Sequence, residues 1–164
     1  ENNDGSWYYE MHEIGYNYRI TDFQCALGSS QLKELDHFIQ KRRGIAKKYD
    51  EAFSSVDSLK IPGAYNLVGH AYHLYPLQID FEKLSITKPD FFQKMKQLGI
   101  NLQVHYIPVH LQPFYKRNYG FKAGDYPLAE KFYGQVVSIP LYPSLTNADV
   151  KKVLGDIKHF IQSR

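Results

Sequence analysis

An amide, a guanidinium and a helix N-terminus follow one another closely in Gly15-Tyr16-Asn17-Tyr18-Arg19, which runs into Thr21. Thr21-Asp22-Phe23-Gln24 has the spacing of a capping box, in which Thr21 accepts from the Gln24 amide and the Gln24 side chain reaches back. Amide N–H, guanidinium and uncapped helical N–H groups together suit an anion such as phosphate. A plainer assignment fits the same residues: Asn17 satisfies a turn and Arg19 pairs with a nearby carboxylate. Residue types and spacing leave both readings open.

Other reactive side chains carry weaker signals. Cys25 is the single thiol, and it lies between Phe23 and Ala26 on the first helix, where an inert buried cysteine is expected. A nucleophilic role would need a base such as His105 or His110 beside it. His70 and His73 are three apart, and on a strand that spacing turns them to opposite faces. His105 and His110 flank Pro108 without a cysteine or carboxylate companion, so a structural or substrate-contact role is expected and no metal site. Lys41, Arg42, Arg43, Lys47 and Lys48 alternate with Ile45 and Tyr49, which is the pattern of a solvated helix face. Nucleic-acid binding is not expected from a net charge of +3 with no recognition motif. The dinucleotide, P-loop, nucleophile-elbow and zinc-protease motifs are all missing from the sequence.

The elements that must position these residues can be read from periodicity. Residues 1–20 form an extended aromatic lead-in. The first helix carries Phe23, Ala26 and Leu27 on one side, continued by Leu32, Leu35 and Ile39. A break is expected near 33–36, followed by a helix with Ile45, Tyr49, Ala52 and Phe53 facing a core. Residues 70–79 make a strand, with Pro76 demanding a bulge or an edge. Lys88 to Leu98 is helical, with Phe91, Phe92, Met95 and Leu98 inward and Gly99 as the stop. Ile100 to His105 alternates like a strand, and 108–126 reads as an aromatic loop. Residues 128–135 are helical and 136–141 a strand. Thr146 caps a last helix with Val150, Val153, Leu154, Ile157, Phe160 and Ile161 as its stripe. The order implies an α/β or α+β layer, with helices covering a small sheet.

The chain has 164 residues, 43% apolar and 23% charged, with one cysteine. Such a composition excludes a disordered chain and a disulfide framework, and no apolar run approaches the ~20 residues of a membrane span. A reducing, cytoplasmic setting is the expectation. The first residue is Glu1 and no signal-peptide pattern follows, so a piece of something longer is expected.

Residues 5–28 and Gln31-Leu32 resemble a signature of the DegT/DnrJ/EryC1/StrS sugar aminotransferases. The likeness continues through His70-Ala-Tyr-His-Leu-Tyr75, Val104 to Gln112, Pro113 to Tyr119, Gly124 to Glu130 and Ser138 to Pro143. The resemblance implies a fold-type I transferase that uses pyridoxal 5'-phosphate. It would move an amino group from glutamate to the C4 ketone of a UDP-linked 4-keto-6-deoxy sugar, within a homodimer and away from membranes. Asn17 resembles the asparagine that reaches the cofactor phosphate of the neighbouring subunit, with Arg19 as the next candidate. Tyr8, Tyr9, His105, Tyr106 and His110 resemble sugar-nucleotide contacts.

The Schiff-base lysine motif of that family is absent from the sequence, so no catalytic residue is assigned and the segment alone is expected to be inactive. Residues 1–35 are expected to be the tail of the large cofactor-binding domain with a dimer contact. Residues 36–164 would then form the C-terminal small domain with its connecting helix. A non-catalytic dimerisation module, or a lysine-less sugar dehydratase relative, are the rival expectations.

Overall fold

The computed structural model describes residues 12–63 and 69–163, and the chain divides into two compact units, residues 1–35 and 36–164. In the first unit an extended stretch leads to Thr21, which opens helix α1 (Asp22–Lys33). The capping box forms as expected. Gln24 N donates to Thr21 Oγ1 at 3.3 Å, and Thr21 N donates to Gln24 Oε1 at 2.9 Å. The helix stops at Glu34 as the sequence suggests. Its apolar side, however, is not buried: Phe23 is 81% exposed and Leu32 68%. Cys25 is exposed too, which corrects the expectation of a buried thiol. Periodicity marks an amphipathic helix but does not say what covers it.

The second unit is built on helix α2 (Leu35–Phe53), whose Ile45, Ala46, Tyr49 and Phe53 are buried. Strands β1 (Leu59–Lys60), β2 (Tyr75–Ile79) and β3 (Val136–Ile139) form an antiparallel sheet in the order β1-β2-β3. Helix α3 (Lys88–Gln97) is capped by Thr87 and buries Phe91 and Met95; Gly99 follows with φ +77°. Helices α4 (Pro113–Tyr119) and α5 (Pro127–Gln135) begin on prolines, where the missing N–H is harmless. Helix α6 (Asn147–Gln162) buries Val150, Val153, Ile157, Phe160 and Ile161, the stripe expected from its sequence, with Leu154 half-buried. Edge-on contacts of Phe91 with Phe160, at 5.5 Å between centroids, join α3 to α6 through the core.

Three expectations change. The strand of residues 70–79 begins only at Tyr75. Residues 100–105 bury Ile100 and Leu102 but pair with the sheet only at Gln103↔Ser138. Residues 108–126 are not all loop, since α4 forms there, closed by Gly120 at φ +70°.

Pro76 sits in the central strand, and the register explains why it is tolerated. Ser138 N donates to Gln103 O at 2.8 Å and Gln103 N to Ser138 O at 3.1 Å, so Ser138 turns its backbone groups away from Pro76. The Pro76↔Ser138 pair is therefore a non-hydrogen-bonded one. Pro76 points its missing donor to the other side, where β1 pairs only Lys60 with Gln78 and Leu59 with Ile79. Extending that register would set Pro62 opposite Pro76, two residues without an N–H, so β1 stops.

Candidate functional site

The first unit presents Asn17 and Arg19 on the extended stretch before α1, both exposed. Among the described residues, neither side chain is engaged in a hydrogen bond or ion pair. Tyr16 and Tyr18 flank Asn17, their rings 5.5 Å apart. Asp22 already supplies a negative charge to the first turn of α1, so a phosphate here would draw on the two side chains more than on the helix. Lys33, on the last turn of α1, is the one lysine in the sequence of residues 1–35. This unit thus offers donors for a phosphate and no amine beside them. Tyr8 and Tyr9 lie outside the described residues.

The second unit carries His105, Tyr106 and His110 on one loop, residues 103–112. The Gln103–Ser138 bridge ties its start to β3. His105 Nδ1 lies 2.8 Å from Ser138 Oγ, and Ser138 is buried. With Nδ1 occupied, the imidazole keeps Nε2 for another partner. Tyr106 is 74% exposed, its ring edge-on to His105 at 4.6 Å.

His110 is placed differently. It is buried in the short 3-10 turn Val109–Leu111, with Nε2 2.9 Å from Glu130 Oε1 on α5. Gly124 N donates to both Glu130 oxygens, at 2.8 and 3.0 Å, and Tyr126 N to Oε1 at 3.3 Å. The His110 hydrogen bond, and behind it these amides, hold the Glu130 carboxyl below its ordinary value despite partial desolvation. An ionised carboxylate only accepts, so the proton of this pair sits on His110 Nε2. The structure therefore groups His105 with Tyr106 at the surface and turns His110 inward.

Sequence reasoning assigned no role to Ser138 or Glu130. Each had a signal. Ser138 is the one polar residue in the apolar run Val136–Ile139, and a hydroxyl in a buried strand needs a partner. Glu130 falls in the first turn of α5, where a carboxylate can collect the amides of the chain leading into the helix.

Lys88 is half-buried. It lies beside a cavity of about 550 Å³ lined by Pro89, Phe92, Val104 and Tyr133. Burial lowers its ammonium from the usual value, while Nζ donates to Tyr133 O at 2.6 Å. Among the described residues no helix is long and apolar enough to cross a membrane, and no cluster of ligating side chains could hold a metal.

The architecture is that of the aminotransferases. Helicobacter pylori PseC, an aminotransferase involved in the biosynthesis of pseudoaminic acid, superposes with a TM-score of 0.82 at 25% identity, covering 99% of this chain and 43% of that one. The sequence profile of the DegT/DnrJ/EryC1/StrS aminotransferase family matches residues 1–158, and the chain belongs to that family. It is 38% identical to the spore coat polysaccharide biosynthesis protein SpsC of Bacillus subtilis, over 97% of this chain and 41% of SpsC. It is 36% identical to the UDP-4-amino-4,6-dideoxy-N-acetyl-beta-L-altrosamine transaminase of Campylobacter jejuni, over 90% of this chain and 38% of that enzyme. The chain spans about two fifths of the length of these relatives.

Proposed function

We propose that the chain is the C-terminal part of a pyridoxal-phosphate-dependent nucleotide-sugar aminotransferase that works as a homodimer in surface-glycan biosynthesis. Residues 1–35 are then the tail of the cofactor-binding domain, and residues 36–164 the small domain. The family match across residues 1–158 carries this reading. SpsC supports the surface-glycan context, and the altrosamine transaminase supports a UDP-linked 4-amino-4,6-dideoxy sugar as product, formed from the 4-keto-6-deoxy acceptor; glutamate as donor rests on the family resemblance.

The residues present fit one end of the cofactor. Asn17 and Arg19 are exposed and uncommitted, an amide and a cation suited to a phosphate. Bound pyridoxal phosphate supplies the electron sink that lets an amino group move between carbon skeletons. This chain's share is binding and orientation. Asn17 and Arg19 hold the phosphate. His105 Nε2 and the Tyr106 hydroxyl form hydrogen bonds to the sugar nucleotide. Ser138 Oγ fixes the His105 ring against β3, so that Nε2 is presented in one orientation.

The test is glutamate-dependent amination of a UDP-4-keto-6-deoxy sugar. The full-length enzyme is expected to turn over, and the isolated 164-residue chain is not. Turnover by the isolated chain would show that the chemistry lies within these residues and refute the reading.

A further inference from the structure

We infer that Glu130 is a positioning residue for the substrate loop, acting through His110 to hold His105 and Tyr106 in place. The inference rests on the assignment of His105 and Tyr106 to the sugar-nucleotide site.

The loop of residues 103–112 is fixed at both ends by different devices. Its start is pinned to β3 by backbone and side-chain bonds at Ser138. Between the pins, Tyr106, Ile107 and Val109 are 74%, 46% and 60% exposed, so packing holds this stretch weakly. Its far end depends on His110, whose buried ring is seated by Glu130 and lies 4.7 Å from the Tyr126 ring.

Glu130 in turn gathers the amides of Gly124 and Tyr126, so one carboxylate joins the substrate loop, the 120–126 segment and the first turn of α5. Three of these four bonds converge on Oε1, so a glutamine with its carbonyl oxygen there would lose only the second Gly124 bond, whereas alanine loses all four. Loss of the acceptor in alanine therefore frees both segments at once. The pinned His105 end then becomes a one-ended tether, and Tyr106, one residue beyond it, is free to leave its binding pose. Ground-state binding suffers first, because the chemistry belongs to groups elsewhere.

In the full-length enzyme, Glu130→Ala is expected to raise KM for the UDP-sugar about tenfold, with kcat and cofactor absorbance held within about twofold. Amide hydrogen exchange should speed up in residues 105–112 and 120–126 and stay unchanged in α3 and α6. His110→Asn, which leaves the Gly124 and Tyr126 amides on Glu130, is the second variant should Glu130→Ala not fold. It is expected to raise KM in the same direction and to loosen 105–112 alone. His105→Ala and Tyr106→Ala separate the two claims. If these raise KM and the Glu130 and His110 variants do not, the positioning role is overturned and the site assignment stands. If His105→Ala and Tyr106→Ala leave KM unchanged while the loop loosens in Glu130→Ala, the site assignment itself falls.

Discussion

Tyr75, on the central strand, donates its hydroxyl to Asp50 Oδ1 on α2 at 2.6 Å, from a ring with no solvent exposure. The bond ties the sheet to the helix that opens the second unit. Tyr75→Phe keeps the packing and removes the donor. It is expected to cost about 2 kcal/mol, typical of a hydrogen bond to a charged acceptor. Urea unfolding should show a lower midpoint at an unchanged slope.

Tyr49 and Tyr75 also make the fold sensitive to alkali. Burial, with Tyr142 behind it at Tyr49 and Asp50 at Tyr75, pushes both phenols far above their ordinary value. In the unfolded chain they ionise near pH 10, at about the reference value. Above that pH the unfolded state releases protons that the folded state keeps. The stabilisation is thus complete below about pH 10 and falls as pH rises further. Phenolate absorbance should show two tyrosines that ionise only with unfolding. Smooth titration of all fourteen would contradict this.

Helix α6 depends on its first turn. Thr146 Oγ1 accepts from Asp149 N at 3.1 Å, and Asp149 Oδ2 accepts from Thr146 N at 3.0 Å. Thr146→Ala should cost about 1 kcal/mol and Thr146→Ser much less. The Thr146 hydroxyl, then its amide, keep Asp149 below its ordinary value. Their stabilisation is present above the unfolded aspartate's pKa, about 4, and is lost as pH falls through the folded value. Denaturation at neutral and acid pH should therefore show a shallower acid loss in Thr146→Ala than in the parent chain.

Asn17→Ala in the full-length enzyme is expected to weaken cofactor retention about tenfold while leaving the melting temperature nearly unchanged, because the side chain bears no packing load. Cofactor titration followed by absorbance measures it. Equal affinity in the variant would remove Asn17 from the phosphate site.

Ser138→Ala removes the partner of His105 Nδ1 and keeps the strand. Substrate KM should rise about fivefold, the worth of roughly one neutral hydrogen bond. Ser138→Thr, which keeps a hydroxyl, should recover part of the loss if the buried strand admits the extra methyl.

Elements with a cap and a stripe were legible in the sequence. Thr21 and Thr146 carry a local hydrogen-bond signal and the apolar rows of α2, α3 and α6 a periodic one; α6 combines the two, and both survive in the fold. The first helix shows the limit, since Phe23, Leu27 and Leu32 mark a sticky face without naming its partner. Residues 100–105 show another. Their alternation predicts burial, correctly for Ile100 and Leu102, but pairing needs a long backbone run beside β3 and only Gln103 supplies it. The site was legible at His105 and Tyr106 through resemblance alone. Its supports were not, because Ser138 and Glu130 lie 33 and 20 positions along the chain from the histidines they meet. Spacing carries no trace of such contacts.

The proline in the central strand has a consequence for solubility. Where β1 ends, Pro76 has no ladder partner on that side of β2 among the described residues, and an unpaired strand edge with free amides invites a strand from another molecule. Pro76 has no amide to offer there, and Pro62 offers none from the opposite side. Replacing Pro76 with valine would restore a donor and a β-branched side chain at that margin, and would convert a silent border into a template for self-association.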